Sequence, residues 1–169
     1  TLGKIIGGGF PLAAIAGRAD MMAHFDKGKV AEDRWLMQVG TLSGNPVASV
    51  AGLATLEVLG RPGTYEKAFG MGRRLMEGLE ESLRRHGVAG QVLGEPTLFD
   101  VVFCAEPVRN YRDVLKGDAA LQRHVNVAMR EAGILKGESK YYLSTAHGPA
   151  EIDNTVAAFD AALGSRARR

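Results

Sequence analysis

The run Gly60-Arg61-Pro62-Gly63 separates two stretches that follow different patterns, and this separation most limits the folds available to the chain. Glycine and proline at this density end a helix and interrupt a strand. Beyond the break, Thr64 predicts the cap of a long helix that runs to about His86 and stops at Gly87. Tyr65, Phe69, Met76, Leu79 and Leu83 recur there at helical spacing, with Arg73, Glu77, Glu80 and Arg84 opposite. Gln91 to Leu93 and Leu98 to Cys104 read as strands. Asp118 predicts the cap of a helix with Leu121, Val125, Ala128 and Met129 on one face. Ile134-Leu135 and Tyr141 to Ser144 read as short strands, and Gly148-Pro149 opens a last helix with Ile152, Val156, Phe159 and Leu163 aligned. The order α, β, β, α, β, β, α predicts a small α+β layer over residues 64–163, with helices on one face of a sheet.

Residues 1–60 follow no such order. Leu12 to Ala16, closed by Gly17, reads as a strand, Arg18 to Phe25 as a short helix, and Lys27 to Gly40 as a loop. Asn45 is suited to an N-cap and Pro46 to the first helical position, where its missing N–H costs nothing. The helix that follows, Val47 to Leu59, is rich in small residues and is expected to be buried on several sides. The short apolar stretch Ile5-Ile6 and Leu12 to Ala16, two strand candidates at most, cannot bury it, so the domain boundary falls at residues 60–63. Residues 164–169 are expected to be a basic, frayed tail.

Glycine accounts for 22 of the 169 residues, against an average of about 7%, and 11 lie in the first 63. Without a repeat period, this density predicts tight turns and close backbone approach. Hydrophobic residues at 46% and charged residues at 24% exclude general disorder. The absence of an apolar run of about 18 residues gives no membrane span, and no signal-peptide pattern opens the chain. Without the tail arginines the charge is near neutral, so no nucleic-acid partner is expected. The single cysteine, Cys104, is expected in the core, and a reducing cytoplasm is the expected compartment. His24, His86 and His124 have no metal-ligand spacing and are expected at the surface; His147 is expected to cap or pack.

Two segments carry chemistry. Lys4 precedes Ile5-Ile6-Gly7-Gly8-Gly9, where apolar flanks and bare backbone predict a tight, largely dry slot for an amine used against carbonyls. The glycines do not form a phosphate loop. The nucleotide-loop order fails after Gly3-Lys4, and the dinucleotide pattern meets Leu12 and Pro11 where glycine and a helix start are needed. Gly40-Thr41-Leu42-Ser43, before a capped helix, is a better anion site: hydroxyls and backbone N–H groups converge there, and the helix dipole adds positive charge.

Leu2-Gly3-Lys4-Ile5-Ile6-Gly7-Gly8-Gly9-Phe10-Pro11-Leu12, followed by Ala16-Gly17-Arg18, resembles the cofactor-lysine segment of class III aminotransferases, which are fold-type I pyridoxal phosphate enzymes. Gly40-Thr41-Leu42-Ser43-Gly44-Asn45-Pro46 resembles their second signature. Leu143-Ser144-Thr145-Ala146-His147 with Glu151-Ile152-Asp153 is similar to the C-terminal segment of the glutamate-1-semialdehyde aminomutase branch. The three come in family order.

The resemblance implies an α/β fold: the end of a large mixed-sheet, cofactor-binding domain (1–60) and a small α+β C-terminal domain (64–163). It implies that Lys4 forms the Schiff base with pyridoxal 5′-phosphate and shuttles a proton, while the cofactor ring acts as electron sink. Gly40 and Thr41 would bind cofactor phosphate, with Thr41 reaching the neighbouring subunit's cofactor in a homodimer. No metal is implied. The family's aspartate for the pyridine nitrogen and its ring-stacking aromatic would lie before Lys4, so the chain reads as the C-terminal part of an enzyme more than twice as long. The strand Tyr142 to Thr145 lacks the arginine that grips substrate carboxylates in many members, which favours the aminomutase side. Gly137 to Lys140 is shorter than the aminomutase stretch, which favours an aminotransferase with its own amine or amino-acid substrate. Internal amino migration, as in the aminomutase, is the alternative. A non-catalytic module derived from such an enzyme is another, opposed by the retention of Lys4 and Thr41.

Overall fold

The computed structural model describes residues 1–166. The chain forms two units, Thr1–Pro62 and a second that begins at Gly63.

In the first unit a 3-10 turn, Lys4–Gly7, is followed by α1 (Ala19–Met22), which continues as a 3-10 turn over Ala23–Phe25. Another 3-10 turn, Glu32–Arg34, precedes α2 (Pro46–Leu59). The strand expected over 12–16 is reduced to one antiparallel bridge: Leu2 N–H donates to Ala14 O (2.7 Å) and Ala14 N–H to Leu2 O (3.0 Å). A strand needs a neighbour along its length to pair its backbone, and this unit offers a neighbour at one residue only. α2 starts where expected, because Asn45 Oδ1 accepts from Val47 N–H (2.9 Å) and Ala48 N–H (3.2 Å). Its burial differs from expectation. Ala48 and Gly52 are buried, but Val47, Val50, Leu53 and Leu56 are exposed. One face is covered by the Lys4 turn and Leu12, and the unit has no further layer to cover the other.

The second unit contains α3 (Thr64–Arg85), β1 (Gln91–Glu95), β2 (Leu98–Val102), α4 (Tyr111–Val114), α5 (Ala119–Glu131), β3 (Lys140–Tyr142) and α6 (Pro149–Arg166). The strands form an antiparallel sheet in the order β1-β2-β3, in which Glu95 pairs with Leu98 across a two-residue turn and Phe99 with Tyr141. With the two-residue period of a strand, Phe99, Val101 and then Phe103 join the core formed with α3, α5 and α6. Phe99 stacks on Tyr141 with ring centroids 5.0 Å apart, and Phe103 lies parallel to Phe159 at 6.4 Å. Leu121, Val125 and Met129 of α5 and Ile152, Phe159 and Leu163 of α6 close it. Asp118 caps α5 through Oδ1, accepting from Ala120 and Leu121 N–H.

Several elements depart from the sequence-based expectation. The α3 stripe is Ala68, Gly72, Leu75, Leu79 and Leu83, while Tyr65 is exposed. Ser82 is buried in this stripe because its hydroxyl donates to Gly78 O (3.0 Å). Ile134-Leu135 is no strand: Ile134 packs on the core and Leu135 is 90% exposed. β2 ends at Val102, where Cys104 N–H turns back to Val102 O (2.9 Å); Cys104 is buried. A basic tail is expected from residue 164, but residues 164–166 belong to α6. α6 runs to Arg166, with Ser165 Oγ donating to Ala162 O (2.8 Å) and facing His124 Nε2 (3.0 Å). Residues 167–169 of that expected tail lie outside the described residues.

Candidate active site

Lys4 has φ 54°, in the left-handed region, and is the one non-glycine residue there among the described residues. Such a conformation disfavours a side chain with a Cβ and persists only where surrounding structure enforces it. The enforcement is local. Gly3 before it is extended, and Gly8 after the turn is left-handed (φ 57°), donating to Ile5 O at 3.2 Å. Phe10 N–H then donates to Gly7 O (2.9 Å).

The turn sits directly on α2. A Cβ on Gly8 would lie 2.5 Å from Thr55 Oγ1 and 3.3 Å from Ala51 O. A Cβ on Gly52 would overlap Leu12 Cδ2 and lie 3.2 Å from Ile6 O. Thr55 is itself fixed, its hydroxyl donating to Ala51 O at 2.9 Å. The expected dry slot is not formed by these residues. Lys4 is exposed and Ile5 is 73% exposed. The glycines that admit the turn to α2 also remove the side chains that would wall the amine.

Thr41 lies in the turn leading into the other end of the contact helix. Ser43 N–H donates to Gly40 O (2.9 Å) and Asn45 N–H to Leu42 O (3.1 Å), with Gly44 at φ 73°. The anion site expected here is narrower than the sequence suggests, because Asn45 already takes the Val47 and Ala48 amides. The hydroxyls of Thr41 and Ser43 remain, both residues being exposed. One rigid helix thus carries both segments: the Thr41 turn runs into its start, and the Lys4 turn rests against Ala51 to Thr55. At about 1.5 Å per residue, Asn45 and Gly52 are roughly 10 Å apart along the axis.

The third segment, in the second unit, is a tightly bonded turn. Ser144 N–H donates to His147 Nδ1 (3.0 Å), which places the ring proton on Nε2, and His147 N–H returns to Ser144 O (3.2 Å). Glu151 then accepts from Gly148 N–H (2.8 Å), which holds its carboxyl below the ordinary range. The other histidines are half-buried and engaged rather than free at the surface. His24 Nδ1 meets Arg34 O (2.8 Å), His86 Nε2 meets Asp160 (3.1 Å) and His124 Nε2 meets Ala162 O (3.0 Å).

Two features are not evident from the sequence. Lys136 is half-buried over the Tyr141 ring (4.8 Å), donates to Asn126 Oδ1 (2.8 Å) and Gly137 O (2.7 Å), and so ties down the turn before β3. Burial lowers its pKa. Burial also raises that of Asp100, against the pull of Lys140 at 3.6 Å and of Val101 N–H at 2.8 Å. The second feature is the pair Gly52 and Thr55. A glycine inside a helix, where it costs about 1 kcal/mol against alanine, was the available signal of close approach.

The family model for class III aminotransferases matches residues 1–145, which include Lys4, Thr41 and the first residues of the third segment. The chain belongs to the class III aminotransferases. That family depends on pyridoxal phosphate. Among solved structures, this class III chain is similar to an omega-transaminase from Sphaerobacter thermophilus, at 35% identity and TM-score 0.82, covering 96% of this chain and 37% of that one. It is also similar to a β-phenylalanine aminotransferase from Variovorax paradoxus, at 30% identity and TM-score 0.88 over 99% of this chain and 38% of that one. A glutamate-1-semialdehyde aminomutase from Pseudomonas aeruginosa PAO1, at 17% identity and TM-score 0.70, covering 83% of this chain and 31% of that one, shares the fold. The chain therefore spans less than two-fifths of the length of these structures. The donor set in this class III chain fits the cofactor: a primary amine on Lys4 to condense with an aldehyde, and the Thr41 and Ser43 hydroxyls to bond a phosphate.

Proposed function

We propose that this chain contributes the covalent lysine and a phosphate contact to an aminotransferase that moves the amino group of a β-amino acid or ω-amine. The observation that carries this reading is Lys4, held left-handed in a glycine-closed turn on the helix that follows Thr41. The substrate class is supported by identity: 35% and 30% to the two transaminases over nearly the whole chain, against 17% to the aminomutase.

Pyridoxal phosphate, when bound, would supply an electron sink. Lys4 Nζ would hold the cofactor covalently, and the same amine would move a proton as general base and acid. Thr41 Oγ1 would donate to a phosphate oxygen of the cofactor. In a homodimer that phosphate belongs to the neighbouring subunit's cofactor, so the site is complete only in the pair. Lys4 is exposed, so these residues by themselves do not exclude solvent from Nζ. The compartment on this reading is the cytoplasm, where Cys104 stays reduced.

Borohydride reduction of the full-length protein loaded with pyridoxal phosphate is expected to leave one pyridoxyl adduct, on Lys4, and Lys4→Ala is expected to abolish it. An adduct on another lysine overturns the assignment. With a β-amino acid as donor and a keto acid as acceptor, a new amino acid is expected in the medium. Product that forms without any acceptor being consumed would mark internal migration, the aminomutase reading.

A further inference from the structure

We infer that Gly52 is a positioning residue for Lys4: lacking a side chain, it sets how deeply the Lys4 turn settles on α2, and so where Nζ meets the cofactor. The inference rests on the reading of Lys4 given above. Gly52 is buried in the interior of α2, a position where glycine is unfavourable to the helix itself. Its α-carbon faces two groups of different compliance. Leu12 Cδ2 is the end of a flexible side chain and can rotate away. The Ile6 carbonyl, 3.2 Å from a Cβ on Gly52, is backbone within the four-residue turn Lys4–Gly7, two residues from the lysine. It can yield only by moving that turn.

A second contact point restricts how the turn moves. Gly8, at φ 57°, lies against Thr55, whose Oγ1 is held by its own bond to Ala51 O (2.9 Å). With Gly8 already close against Thr55 at one end and unable to move inward, a push on Ile6 tilts the turn and shifts the other end, which carries Lys4. Lys4 is already in a left-handed conformation that few residues adopt. It has little freedom to compensate through its own φ and ψ. Neither Gly52 nor Thr55 is asked to touch the cofactor; both act through the turn.

The step to be read out is a condensation. The neutral amine of Lys4 attacks the aldehyde carbon of pyridoxal phosphate, a C=N bond replaces the C=O bond, and water leaves with the carbonyl oxygen. Its rate depends on the approach of Nζ, and a displacement of 1 Å costs about 100-fold in a well-oriented reaction. A shift of a few tenths of an ångström should therefore slow it by about 3- to 10-fold.

The experiment uses full-length protein freed of cofactor. Pyridoxal phosphate is added, adduct formation is followed by absorbance, and the adduct is mapped after borohydride. Pyridoxamine phosphate, which has no aldehyde and needs no lysine, is titrated in parallel. Gly52→Ala is expected to slow adduct formation by about 3- to 10-fold and leave pyridoxamine phosphate affinity unchanged. Thr55→Val, which puts a methyl group where Oγ1 faces Gly8, is expected to act in the same direction and decides the matter if Gly52→Ala does not fold. Wild-type rates in the variants overturn the inference, as does a parallel loss of pyridoxamine phosphate affinity, which would mark general damage. Failure of the wild-type protein to form an adduct on Lys4 would instead overturn the functional reading, before any variant is compared.

Discussion

Helix α3 contains three interior glycines whose surroundings differ, so replacing each with alanine tests the packing of the second unit. All three replacements gain the same helix propensity, about 0.8–1.0 kcal/mol. At Gly70 a Cβ meets nothing within 4 Å, so the full gain of about 1 kcal/mol should appear as stabilisation. At Gly78 the Cβ would lie 2.5 Å from Val156 Cγ2 and 3.2 Å from Cγ1 on α6. Val156 can change rotamer or shift, so overpacking should cost about 1–3 kcal/mol and leave the variant between neutral and about 2 kcal/mol less stable. At Gly72 the Cβ would overlap the backbone carbonyl of Pro96, in the turn joining β1 to β2. A carbonyl has no rotamer to change, so the helix or the hairpin must move, and the net loss should exceed about 2 kcal/mol. Urea denaturation gives the three values if the slope m is unchanged. For a domain of this size each kcal/mol also moves Tm by about 4–8 °C. The expected order is Gly70→Ala, wild type, Gly78→Ala, Gly72→Ala. If Gly72→Ala were as stable as Gly70→Ala, the packing of α3 against the hairpin would be refuted. A double-mutant cycle of Gly78→Ala with Val156→Ala should show coupling of about 1 kcal/mol.

Asn45→Ala removes the acceptor for two amides at the start of α2 and should cost about 0.5–2 kcal/mol, with faster hydrogen exchange at Val47 and Ala48. Asn45→Asp keeps the acceptor and should stay within a few tenths of a kcal/mol; an equal loss in both variants would exclude the cap as the cause. Burial raises the Asp100 pKa above its ordinary 3.8, so the folded state holds that proton to higher pH than the unfolded chain does. Stability relative to Asp100→Asn should therefore fall as pH rises from about 3.8 through the folded value and then level off. A difference that grows in favour of the wild type over that range would show that Lys140 outweighs burial. Glu151 has the opposite sign: its pKa is lowered chiefly by the Gly148 amide, so its contribution is present above its unfolded value and is lost on acidification. Glu151→Gln should lessen the acid sensitivity of the start of α6, read from hydrogen exchange at Gly148.

The parts of this protein that depend on local chemistry were legible in the sequence. Asn45 and Asp118 cap helices because an oxygen two or three residues from an amide can reach it whatever surrounds them. The core faces of α5 and α6 followed helical spacing because their large apolar side chains have one dry side to occupy. Lys4 and Thr41 were marked by runs of residue types that bring their chemistry with them, and the family match spans both. Where the burial of a position depended on what lies opposite, the sequence misled. On α3, Tyr65 is exposed and Leu75 joins the core, because Gly72 and Gly78 let the helix turn its small side to the hairpin and α6. Leu12 to Ala16 is paired at one residue only, since a strand exists only with a partner.

The site divides along the same line. Sequence alone determined which groups can do chemistry here: one amine in a glycine-rich turn, and hydroxyls ahead of a capped helix. The tertiary structure decided that both are mounted on the same helix, that Lys4 is held left-handed, and that Gly52 and Thr55 support the turn beneath it. It also decided that these residues leave the amine in solvent. The physical reason is range: capping and residue chemistry act over three or four residues, whereas close backbone approach and exclusion of water are properties of two surfaces brought together from distant parts of a chain.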